Sequence, residues 1–137
     1  MKKKISIIGT SRITSHHIKA ARKSGFQVFS IASTRKNSKY LDPLAKTNNI
    51  KNKFVSWKEC VHQSLKIDKN ISFVVTAPTI KNKIILKYIL KYNSKILIEK
   101  PVFNNLYEFK NLNKNKKNIF VGYNRIFYEN IIYLKKE

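Results

Sequence analysis

Acidic residues are scarce in this chain: 7 Asp and Glu stand against 29 Lys and Arg in 137 residues, for a formal net charge of +22. Such a balance ordinarily points to nucleic acid or another anionic surface. The excess, however, is carried by Lys scattered along the chain among abundant Asn and Ile, with arginine only at Arg12, Arg22, Arg35 and Arg125. All three abundant residues have A/T-rich codons, so genome composition accounts for the bias more simply than a dedicated nucleic-acid surface. Cysteine is almost absent too. Cys60 stands alone, which excludes an internal disulfide. With no ligand-type residues beside it, it reads as a buried small hydrophobe, not a nucleophile. No apolar run approaches the ~20 residues of a membrane span. The run after Lys2-Lys3-Lys4 stops at Gly9, too short for a signal-peptide core. The expected location is the cytoplasm, with no membrane partner. The chain is 42% hydrophobic, which argues against disorder and for one domain with a sizeable core.

What is present is a regular alternation. Ile5-Ser6-Ile7-Ile8 is a β-branched run ending at Gly9, and Ile13, His17/Ile18 and Ala21 then recur at helical spacing up to Ser24-Gly25. Gln27 to Ala32 is a second strand, so strand, glycine turn, helix and strand make a βαβ unit within ~30 residues. Ser38 to Asn49 reads as a weak helix interrupted at Asp42-Pro43, and Lys53-Phe54-Val55 as a brief third strand. Ser56 with Glu59 makes a capping box for a helix from Trp57 to Leu65. Ile71 to Thr76 is a fourth strand. After Ala77-Pro78-Thr79 a helix follows with Ile80, Ile84, Ile85, Tyr88, Ile89 and Tyr92 on one broad face. Ile96 to Ile98 is a fifth strand, stopped by Glu99-Lys100-Pro101, where proline removes a backbone donor. A helix from Asn104 or Asn105 through Tyr107, Phe109 and Leu112, a polar stretch to Asn118, a strand from Ile119 to Gly122 and a helix from Phe127 complete the pattern. The expected fold is therefore α/β: a Rossmann-type, doubly wound, mostly parallel sheet of about six strands with helices on both faces.

In such a sheet ligands bind at the carboxyl ends of the strands. The candidate phosphate-binding turn is Gly9, Thr10, Ser11, Arg12 and Ile13. Against the dinucleotide fingerprint G-x-G-x-x-G it keeps only the first glycine. Ser11 stands where a glycine would admit pyrophosphate, and Thr14 where one would allow close helix–strand packing. The helix start can still offer N–H groups to a phosphate, and the Ser11 hydroxyl can donate. The second strand ends in Ser33, Thr34, Arg35 and Lys36, without the acid that would hold an adenosine ribose 2′-hydroxyl. Basic and hydroxylic residues there favour a 2′-phosphate, and Arg35 is the better signal because a guanidinium grips phosphate bidentately. The expected cofactor is NADP or NAD, with NADP favoured. His16 and His17 point ~100° apart on a helix and cannot make the i, i+4 pair of a metal site, and no metal is expected.

These pieces resemble the Gfo/Idh/MocA family of NAD(P)-dependent oxidoreductases. The likeness rests on Ile5 to Ala21, on Thr76-Ala77-Pro78-Thr79, on Ile98-Glu99-Lys100-Pro101-Val102 and on Val121-Gly122-Tyr123-Asn124-Arg125. It implies that Lys100 is the catalytic residue beside the reacting carbon, bonding the substrate hydroxyl or the nicotinamide ribose. It also implies that Glu99 orients this region and that the strand end at Thr76, Ala77 and Pro78 borders the nicotinamide. A lysine in a partly dry cleft can exchange a proton during hydride transfer. The departures are Ser11, Thr14, a missing histidine near Asn82 or Lys83, and Ile126 where a second arginine often follows Arg125. Members of the family are also longer. The expected division is an NAD(P)-binding domain over 1–124 and, over 125–137, the start of a helix leading to an absent substrate domain. On that reading the chain is not competent alone. A homo-oligomer or a partner chain would supply the missing half, and a small sugar-like substrate would bind only to the completed enzyme. Apolar residues between Ile119 and Leu134 would be left partly uncovered, favouring association. The alternatives are a basic polyanion- or nucleic-acid-binding protein on an α/β scaffold, and an inactive gene remnant.

Overall fold

A computed structural model describes residues 2–105, 107, 110 and 115–122. The elements in chain order are β1 (Lys4–Ile8), α1 (Thr14–Lys23), β2 (Gln27–Ala32), α2 (Leu41–Thr47), β3 (Asn52–Phe54), α3 (Trp57–Ile67), β4 (Ser72–Val75), α4 (Thr79–Leu90), β5 (Ile96–Ile98), a 3₁₀ turn (Asn115–Asn118) and β6 (Ile119–Val121). The strands form one six-stranded sheet in the order β3-β2-β1-β4-β5-β6, and every pairing is parallel. This is the Rossmann order, and the chain reverses direction across the sheet between β1 and β4. The expected motif residues Tyr123, Asn124 and Arg125 and the expected helix from Phe127 lie outside the described residues, as do Phe109 and Leu112 of the helix after Asn105. Among the described residues no helix is long and apolar enough to cross a membrane.

The inner strands β1, β4 and β5 are mostly buried because helices cover both sides of the sheet, whereas the edge strands β3 and β6 are partly exposed. One core joins Ile8, Phe73, Val75, Ile96 and Ile98 to Val61 of α3 and to Ile85, Leu86 and Ile89 of α4. The other joins Ile5, Ile7, Ile31 and Val74 to Ile18 of α1 and to Leu41 and Ala45 of α2. On the α1 side the sheet also carries an apolar groove of about 450 Å³, bordered by Phe26, Val74, Leu97 and Phe120. Cys60 is fully buried, and burial pushes its thiol up to about 11. Its sulfur lies 3.2 Å from Ser30 Oγ, within a buried set of hydroxyls that links Ser6, Ser30 and Ser64.

Two elements depart from expectation in more than where they begin and end. Pro43 does not interrupt α2, because it falls in the first turn, where a missing N–H costs nothing. In α4 the inward residues are Asn82, Ile85, Leu86, Ile89 and Leu90, whereas Ile80 is 78% exposed and Ile84 54%. Isoleucine and leucine together occur around most of the helix, so periodicity could not tell the two stripes apart.

Candidate functional site

The site grows from the end of β1. Gly9 has φ +128°, and a Cβ there would fall 2.4 Å from Thr76 Oγ1 and 2.6 Å from the Thr76 carbonyl carbon. Only glycine permits this approach of the first turn to the end of β4. The turn leads into α1 with Ile13 as N-cap, no side-chain cap and no acid in the first turn. That helix end therefore keeps its positive character for an anion. Thr14 explains one departure from the fingerprint. It is fully buried, shares a 2.7 Å hydrogen bond with Thr76 Oγ1, and lies 3.3 Å from Ser11 Oγ. A hydroxyl contact thus stands where a glycine would let helix and strand pack directly.

The turn after β2 forms the opposite wall. Ser33 Oγ donates to the Arg35 carbonyl at 2.8 Å and accepts from the Arg35 N–H at 3.0 Å. This closes a tight hydroxyl turn that leaves the Arg35 side chain exposed. Thr10 Oγ1 and Ser38 Oγ, 3.0 Å apart, tie the two walls together. Between them lies a cleft of about 340 Å³ that brings together Thr10, Ser11, Thr34, Arg35, Thr76 and Pro78. Arg12 lines an adjoining cleft that shares Thr10, Ser11 and Tyr40 with the first. The other candidates do not line the cleft. Gly9 and Ser33 shape its walls from buried positions, Ile13 is the helix cap, and Ala77 packs against the α3/α4 core. Asn37, Ser38, Lys39 and Tyr40 also line it. Sequence reasoning missed them by assigning Ser38 onward to a helix, although hydroxyl and basic residues after a strand end were the available signal.

Glu99 and Lys100 sit at the end of β5. The Glu99 N–H donates to the Val75 carbonyl, and its carboxylate meets His17 Nε2 of α1 at 2.7 Å. A Cβ on residue 122 would come 3.0 Å from that same carboxylate oxygen, so Gly122 makes room for it. Lys100 is exposed, and the Lys100–Pro101 peptide is cis. The Pro101 carbonyl accepts from Thr79 Oγ1 and from Asn82 Nδ2, both at 3.2 Å, and Asn82 Nδ2 also reaches the Val102 carbonyl at 3.1 Å. His17 and Asn82 were not among the expected site residues.

A glycine-turn crevice at the switch point of a parallel 3-2-1-4-5-6 sheet defines a dinucleotide-binding Rossmann domain. A family profile described as "Oxidoreductase family, NAD-binding Rossmann fold" (GFO_IDH_MocA) matches residues 3–129, and the chain belongs to this family. A search by sequence among curated proteins found no match. Among solved structures the chain is similar to the WlbA dehydrogenase from Bordetella pertussis in complex with NADH and UDP-GlcNAcA, with a TM-score of 0.82 and 17% identity over 99% of this chain and 41% of that one. A probable dehydrogenase from Thermotoga maritima gives 0.80 and 21% over 97% and 40%. Myo-inositol 2-dehydrogenase from Lactobacillus plantarum gives 0.80 and 18% over 99% and 40%. The chain thus spans about 40% of the length of these relatives.

Proposed function

We propose that the cleft between the Gly9 turn and the Ser33–Tyr40 loop binds the phosphates and adenosine of NAD(P), with NADP preferred, and that Lys100 works at the nicotinamide end. The observation that carries this reading is the approach of Gly9 to Thr76, which sets the turn before α1 at the sheet's carboxyl edge, where Thr10 and Ser11 line the cleft. The residues present fit the group. Thr10 and Ser11, in the turn that leads into α1, would hold pyrophosphate. Arg35 and Lys39 border the same cleft, and no acid occurs from Ser33 to Tyr40 to repel a 2′-phosphate. When bound, NAD(P) would supply the hydride acceptor, and Lys100 would hold or exchange a proton on a substrate hydroxyl.

The substrate class follows from the relatives, which include dehydrogenases of a nucleotide sugar and of inositol: a sugar or cyclitol hydroxyl. Hydride transfer needs that carbon held within about 3–3.5 Å of the nicotinamide. The groups that hold it come from polypeptide outside the described residues, from a second copy or from a partner chain. Titration of the protein with NADPH and NADH, followed by nicotinamide fluorescence, tests the binding. Saturation by both with NADPH tighter is expected, and Arg35→Asp reverses the preference. No saturable change up to millimolar cofactor overturns the reading.

A further inference from the structure

Lys100 lies between two attachments that approach the end of β5 from opposite faces of the sheet. On the α1 face, Glu99 is pinned by His17 at 2.7 Å, with side chains only 16% and 24% exposed. The missing side chain of Gly122 leaves room for that carboxylate. On the α4 face, Asn82 is 1% exposed and turns its amide nitrogen to the carbonyls of Pro101 and Val102. Its Oδ1 is left buried without a partner. An orphaned buried acceptor is costly, so its cost is offset by what the nitrogen does: it fixes the loop immediately after Lys100. Thr79 adds a second bond to the same Pro101 carbonyl.

We propose that His17 and Asn82 are positioning residues for Lys100. Acting from opposite faces, they fix the backbone on either side of it, so that its flexible side chain starts from a set position at the sheet edge. A lysine head on a four-carbon stem gains orientation only from where its backbone is held. The inference rests on the cofactor reading in assigning Lys100 to the nicotinamide end.

The test compares the full chain with His17→Ala, His17→Gln, Asn82→Leu, Lys100→Ala and the double variants with Lys100→Ala. Each of the single changes H17A, N82L and K100A is expected to weaken NADPH binding by about tenfold, the size of one charge-assisted hydrogen bond. The double variants bind no more than about twofold more weakly than K100A, because both residues act through the same lysine. H17Q recovers the wild-type affinity, since glutamine can donate to Glu99. Losses that instead add to that of K100A mark a general structural role and overturn the proposal. Amide hydrogen exchange provides a readout without cofactor. Exchange at Glu99, whose N–H donates to the Val75 carbonyl, rises by about tenfold in H17A and N82L, while β1 and β2 stay protected. Unchanged exchange at that amide overturns the clamp even if NADPH binds. Failure of the wild-type chain to bind NADPH overturns only the cofactor reading, and the exchange result then decides the clamp.

Discussion

Replacing Gly9 with Ala challenges the junction on which the crevice depends. Two effects combine there. At φ +128° an L-residue is held where essentially only glycine is found, at about 1–3 kcal/mol. The new Cβ also meets Thr76 backbone at 2.6 Å. Neither β1 nor β4 can retreat, because β1 pairs with β2 on one side and with β4 on the other, so overpacking adds about 1–3 kcal/mol. The sum, about 2–6 kcal/mol, is a large share of a domain's typical stability and corresponds to a fall in Tm of about 7–20 °C. Gly25 is the internal control: its φ is +81°, but a Cβ there meets nothing within 4 Å, so G25A costs about 1 kcal/mol. Urea and thermal unfolding followed by circular dichroism read both. Equal, mild losses in G9A and G25A would refute the close approach of the first turn to β4.

Thr14→Val keeps the shape but removes the bond to Thr76 Oγ1 and leaves that hydroxyl buried, so unfolding in urea should show a loss of about 1–2 kcal/mol. For Cys60, burial raises the thiol from its ordinary 9.0 to about 11. Its contribution to stability is complete below about 9 and is lost as pH rises toward 11, because the unfolded chain releases the proton first. Thiol reagents at pH 8 should label it only on unfolding, and labelling of the native protein at the rate of a free thiol would contradict its burial. The +22 charge should produce polynucleotide binding that falls steeply with salt and disappears near physiological ionic strength. Gel shifts that persist there would favour a nucleic-acid function.

Much of this architecture was legible locally. Gln27–Ala32 and Ile96–Ile98 have the boundaries that their β-branched runs announce, and Ser56 caps α3 through the Glu59 N–H as the capping box requires. Thr10, Ser11, Thr34, Arg35, Thr76 and Pro78 meet in one cleft because a parallel sheet places every strand's carboxyl end on the same edge. What was hidden depends on partners far apart in sequence. Thr14 looked like a defective fingerprint until sheet order set it against Thr76, 62 residues away. His17 falls with Ile18 on the apolar spacing of α1, and its role shows only where Glu99, 82 residues on, meets it. Asn82 was legible only as a missing histidine, since neither its burial nor its carbonyl partners follow from helical spacing. The Gly9 turn was readable because its positive φ is a local constraint, whereas its approach to Thr76 and the room Gly122 leaves for the Glu99 carboxylate depend on partners distant in sequence.

Chemical-shift mapping of the labelled chain with NADPH tests dinucleotide binding at the crevice most directly. Saturable shifts should concentrate at Gly9–Arg12, Thr34–Tyr40, Thr76–Pro78 and Lys100, with the Lys-rich outer faces of α3 and α4 unmoved. Shifts spread over the basic surface and weakening with salt, or none at all, would contradict a dinucleotide site at this edge of the sheet.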